Sequence, residues 1–141
     1  MSFQPLPIRP GVLLQDDPGW RAPADSADDA AREPIRDMLW DRCRNSLGIA
    51  RLLVSEGRPD ALAATACQMA AEAACRSALE HAGFPFDGDL ARGLDRLSAP
   101  PELWLELSSA PPPRRLAAAE QLVAWIAGYL RCQVPERSWG Y

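Results

Sequence analysis

A chain of 141 residues, 48% apolar and 24% charged, has the size and composition of one globular domain with a real core. Its net charge of −4 gives no general attraction to nucleic acid or anionic lipid, so charge lends no support to a nucleic-acid partner. No apolar run reaches the roughly 18 residues of a membrane span, so no membrane association is expected.

The first stretch, MSFQPLPIRPGVLL, lacks the charged-then-apolar order of a secretion signal, and a cytoplasmic location is expected. Residues 1–33 read as an extended Pro-rich and acidic arm. Pro5, Pro7, Pro10, Pro18 and Pro23 argue against a long helix there, and residues 24–32, ADSADDAAR, are polar. Val12, Leu13, Leu14 and Trp20 are the arm's candidates for docking on the body or on a partner.

The spacing predicts a first helix over 34–55, with Pro34 at its first position. Ile35, Met38, Leu39, Cys43, Leu47, Ala50, Leu53 and Val54 give its apolar face, with Trp40 beside it. Gly48 in its interior marks close packing or a bend. Glu56-Gly57-Arg58-Pro59 is a short turn, which makes the next helix an antiparallel neighbour.

That second helix, over 60–82, is the stretch around which the chain is organised: DALAATACQMAAEAACRSALEHA. It has no Gly or Pro and is rich in Ala, so propensity strongly favours helix; Gly83 suits its stop. At about 1.5 Å per residue it is a rod of roughly 35 Å. Ala63, Cys67, Ala70, Ala71, Ala74, Cys75, Ala78 and Leu79 form a broad face of small residues that lets other helices approach closely. Gln68, Glu72, Arg76 and Glu80 form one polar stripe, of which Gln68, Glu72 and Arg76 are the candidate binding residues.

Phe84-Pro85-Phe86-Asp87-Gly88 reads as an aromatic turn that closes one end of the bundle. Asp89 N-caps a third helix from Leu90 to about Leu97, and Pro100-Pro101 breaks it. Glu102–Leu107, ELWLEL, is a further helical turn or two. Pro111-Pro112-Pro113 launches a helix over 114–133 with Leu116, Ala119, Leu122, Val123, Ile126, Tyr129 and Leu130 on its apolar face. Pro135 ends it and leaves residues 135–141 as a tail. No alternating, β-branched run competes with helix anywhere.

The pattern Gln68-x-Ala70-x-Glu72-x3-Arg76-x2-Leu79, followed by Gly83, resembles the Q-x-A-x-E-x-x-x-K-x-x-L…G stretch of HEPN-domain proteins. Ala50-Arg51-Leu52-Leu53 upstream and Asp89-Leu90…Leu94…Leu97 downstream fall where that family has them, so the likeness spans about residues 39–97. The resemblance implies an up-down helical bundle, commonly a homodimer. It implies either a metal-independent ribonuclease with an Arg-x4–6-His motif or a non-catalytic module that works beside a nucleotidyltransferase. Two departures are plain: Gly88 stands where a His often precedes the Asp-Leu pair, and no His follows residue 81, where the catalytic motif would lie.

Arg76 and His81 satisfy Arg-x4-His by letter and are the only catalytic candidates. The His would serve as base on a ribose 2′-hydroxyl and the Arg would stabilise charge on phosphorus. A chain with 15 basic residues, all Arg, makes such a match by chance roughly 0.3 of the time. Positions five apart also lie about 140° apart around a helix, which is poor convergence within one chain. A single His cannot build a four-helix di-iron site. Cys43, Cys67, Cys75 and Cys132 contain no C-x-x-C pair, and Cys67 and Cys75 stand about 12 Å apart along one helix, beyond disulfide reach. No metal and no cofactor are expected.

The expected fold is therefore all-α, an up-down four-helix bundle over 34–134 with a long central antiparallel pair, HEPN-like. The expected function is that of a non-catalytic module acting through protein contacts, a homodimer with a nucleotidyltransferase as a further partner. The alternatives are a ribonuclease toxin using Arg76 and His81, and a generic helical assembly protein.

Overall fold

The computed structural model describes residues 18–58 and 60–140, with side chains from residue 31 onward. The expected extended arm over residues 1–17, with Val12, Leu13 and Leu14, lies outside the described residues, as does the side chain of Trp20. Five helices follow in order: α1 (Pro18–Ser55), α2 (Asp60–Ala82), α3 (Leu90–Arg96), α4 (Pro101–Ser109) and α5 (Pro112–Gln133). No strand occurs among the described residues. The all-helical reading holds, and ELWLEL lies within a helix of its own, α4.

α1 corrects one expectation. It starts at Pro18, not Pro34, so residues 18–33 are helical rather than extended. Pro18 takes the first position, where a missing N–H costs nothing. Pro23 and Pro34 each forfeit one backbone bond further along, but the Ala- and Arg-containing sequence between them carries the helix through. At about 1.5 Å per residue, α1 is roughly 57 Å long and far outruns α2.

α2 lies at the centre, against α1, α3 and α5. All eight small-face residues expected from the sequence are buried, and Ala66, Ala73 and Ser77 are buried with them. Methyl-sized side chains let the neighbouring backbones come close, so the core is built around a thin rod. The Ser77 hydroxyl donates to the carbonyl of Arg36 at 2.9 Å inside the interface. This bond fixes the α1–α2 register. The α2 terminus closes on Gly83, whose φ of 83° needs no Cβ. Phe84 N–H bonds Leu79 O at 2.9 Å and Gly83 N–H bonds Glu80 O at 3.2 Å.

α3 is capped as expected: the Asp89 carboxylate accepts from Arg92 N–H at 3.2 Å. Gly93 sits where a Cβ would stand 2.9 Å from Cys75 Sγ, so α3 can meet α2 only with glycine there. On α5, Ala119, Leu122, Val123, Ile126 and Leu130 are buried, while Leu116 and Tyr129 pack at the edge of the core.

The C-terminal residues correct a second expectation. They are no free tail, because Trp139 is 1% exposed. Its ring meets Trp40 edge-on at 5.5 Å and 85°. The guanidinium groups of Arg36 and Arg137 lie over it at 5.2 and 4.8 Å. Trp139 Nε1–H donates to Val134 O at 3.0 Å, and Trp40 Nε1–H donates to Gly140 O at 3.2 Å. Both indole donors are thus satisfied, as buried tryptophans require.

Two substitutions test this packing. Ala74→Phe should overpack the α2 interface and cost about 1–3 kcal/mol in urea unfolding. Trp139→Ala should cost about 3–5 kcal/mol, since it strips the cover from Trp40. A melting curve unchanged by Trp139→Ala would show that the C-terminal residues are a tail after all.

Candidate functional site

The candidate residues on α2 fall into two separate places. Gln68, Glu72, Arg76 and Glu80 are half-buried in one row, as the four-residue spacing requires. Arg76 is committed to the aromatic turn: its guanidinium lies 5.6 Å from the centre of the Phe86 ring. Arg96 covers Phe84 in the same way at 5.1 Å. The turn itself is held by Asp87, which accepts from Asp89 N–H at 2.9 Å and pairs with Arg92 at 2.7 Å. The Asp89 N–H, more than the neighbouring Arg92, holds the Asp87 carboxyl below its usual range.

His81 stands elsewhere. It lines a hollow of about 250 Å³ with Arg32, Glu33 and Arg36 of α1, Gln133 at the end of α5, and Glu136 beyond it. Arg36 is 6% exposed and is engaged by Asp37 at 3.0 Å and Glu33 at 3.7 Å. The Arg and Glu side chains around the hollow largely neutralise one another. Arg76 and His81 are therefore not brought together: one faces the α3 side and the other the corner between α1 and α5. The cause is the angular offset of about 140° between positions five apart. Among the described residues, no three His, Cys, Asp or Glu side chains cluster as metal ligands do.

The cysteines are free, and three of them are buried. Burial pushes the Cys43 and Cys75 thiols up to about 12. Cys67 is raised by burial as well. Such thiols carry no thiolate at neutral pH and are not nucleophiles.

The largest unexplained feature is an apolar face on the α1–α2 pair. Ile35, Met38, Ile49 and Leu52 on α1 and Leu62 and Met69 on α2 are each 45–55% exposed. Sequence reasoning placed Ile35 and Met38 in the core and passed over the other four. The structure corrects this: the buried arc of α1 is Leu39, Trp40, Cys43, Leu47 and Ala50, with Ile35 and Met38 outside it. Arg51 bonds Glu120 of α5 at 2.7 Å, and Ile49 points about 160° away from Arg51. On α2, Cys67 feels the charges of Arg115 and Glu120 on α5, while Leu62 and Met69 lie about 140–160° round from it. Both sets therefore occupy the side of the pair that faces away from α5. A heptad search along α1 would have found this stripe, because Ile35, Met38, Ile49 and Leu52 fall on a 3-4 repeat.

Comparison of the chain with protein-family models, with curated proteins and with solved structures finds no match in any of the three. Among the described residues, no helix is long and apolar enough to cross a membrane.

Thiol chemistry checks the burial pattern. At pH 8 a thiol-reactive disulfide reagent should modify Cys132 rapidly and the other three only as the protein unfolds. The raised folded-state values also give a sign for stability. Their contribution is complete below the unfolded value near 9.0 and is lost as pH climbs toward about 12, so urea midpoints should fall across that range.

Proposed function

We propose that this chain is a non-catalytic, HEPN-like helical module that acts through protein–protein contacts. The observation that carries the reading is the uncovered apolar face of α1 and α2. Large apolar side chains exposed together on one side of a folded domain mark a contact site more often than a catalytic one. The separation of Arg76 from His81 supports it further, since neither residue has the other as a catalytic partner within one chain. In this reading α1, α2, α3 and α5 correspond to the four helices of the up-down HEPN-like bundle, and α4 is an addition between the last two. The setting is cytoplasmic, in keeping with four free thiols. The module works as a homodimer, with a nucleotidyltransferase as the kind of enzyme it would serve.

The deciding experiment is incubation of the purified protein with total and structured RNA, beside His81→Ala and Arg76→Ala. No cleavage is expected from any of the three. Cleavage by the wild type that both substitutions abolish would replace this reading with that of a ribonuclease.

A further inference from the structure

The exposed stripe of α1 has an internal order. Ile35, Met38, Arg42, Asn45, Ile49 and Leu52 follow one another at spacings of three and four, which is the a/d pattern of a helix–helix seam. All six are exposed. At 100° per residue they occupy an arc of about 100° on one side of the helix. The other two arcs are used within the chain. One is buried against the core, and the other carries Asp37, Asp41 and Arg51, which pair with Arg137 and Glu120.

The stripe is also a palindrome of character: two apolar residues, two polar, two apolar. Laid antiparallel against itself, it sets Ile35 across from Leu52 of a second copy and Met38 across from Ile49. At the centre Arg42 faces Asn45, twice. Every apolar residue then meets an apolar one, and no Arg meets an Arg. A parallel arrangement would set Arg42 against Arg42 of the second copy and lose that match.

We propose that the α1 stripe is the seam of an isologous dimer, in which α1 of one copy lies antiparallel to α1 of another across a two-fold axis between Arg42 and Asn45. Leu62 and Met69 of α2 flank the seam and extend its apolar edge. The inference rests on the contact-module reading but fixes which surface is used and what covers it: a second copy of this chain.

The test combines sedimentation equilibrium with cross-linking, on the full chain. The wild type should be dimeric at micromolar concentration. Ile49→Glu should give a monomer whose melting temperature as a monomer shows an intact fold, because Ile49 is exposed within the chain. Asn45→Glu should tighten the dimer about fivefold, since it places two new carboxylates opposite two Arg42 side chains. In a Cys132→Ser background, Met38→Cys with Ile49→Cys should give an oxidised dimer, and either substitution alone should not. Those two positions are about 16 Å apart along one helix, so the bond can form only between copies.

A monomeric wild type at high micromolar concentration would overturn the inference, including the case where the same face captures some other protein. A dimer indifferent to Ile49→Glu would place the interface elsewhere. A dimer weakened by Asn45→Glu, or linked through Ile49→Cys alone, would make the seam parallel and refute the two-fold proposed. RNA cleavage would remove the contact-module reading and leave these outcomes unaffected, so the two failures are distinguishable.

Discussion

The structure depends on close approach to α2. A helix whose inward residues are Ala, Ser and Cys, with Leu79 alone larger, presents little side-chain bulk, so α1, α3 and α5 can all lie near its axis. Close approach gains dispersion over long stretches of backbone and leaves no room for error. The same constraint appears at Gly93, where α3 meets Cys75 and any larger residue would collide with the α2 side chains. It appears again at Ser77, whose buried hydroxyl has to find the Arg36 carbonyl or stay unpaired. One thin central helix thus sets both the distance and the register of its neighbours.

A thin rod supplies little volume, and the volume has to come from elsewhere. Leu122, Ile126 and Leu130 of α5 provide part of it along the length of the core. The corner between α1 and the C-terminal residues is filled by two tryptophans. Trp40 comes from α1 and Trp139 from the other end of the chain, and their Nε1–H groups both reach backbone carbonyls in the C-terminal stretch. Arg36 links the two regions: its carbonyl receives Ser77, and its guanidinium covers Trp139. The register of the central pair and the closure of the C-terminal corner therefore converge on a single residue.

Much of this was legible in the sequence, for identifiable reasons. The eight small residues of α2 lie on one helical face, and Ala content makes the helix unambiguous, so their burial could be read directly. Asp89 and Gly83 are caps whose chemistry is local. What was not legible depended on partners distant in the chain. Pro18 and Pro23 read locally as breaks and Pro34 as a helix start, yet α1 runs through the latter two, because each proline costs a helix one bond rather than its continuity. Trp139 follows Pro135 in a short polar stretch, and only Trp40, nearly a hundred residues earlier, gives it a place. Ile35 and Met38 follow the helical period as faithfully as Leu39 and Leu47. Periodicity assigns residues to faces but does not say which face meets the core when a helix has two apolar arcs.

That last ambiguity bears on function. α1 has three arcs: one apolar and buried, one charged and paired to α5 and the C-terminal residues, and one apolar and exposed. A helix that only closed a core would need the first two. Exposed Ile, Leu and Met at four positions of α1, with Leu62 and Met69 of α2 beside them, gain nothing for an isolated chain and raise its tendency to associate. The polar members of the exposed arc, Arg42 and Asn45, sit at its middle, where two copies related by a two-fold would meet at the axis. Polar residues at the centre of an apolar seam reduce its strength and fix its register and direction. The chemistry on α2, by contrast, is already in use: Arg76 covers Phe86, and His81 stands among Arg and Glu side chains at the opposite corner. The groups that would have to act together in a reaction are held apart by the helix that carries them, while the groups that would act together in a contact are aligned along one.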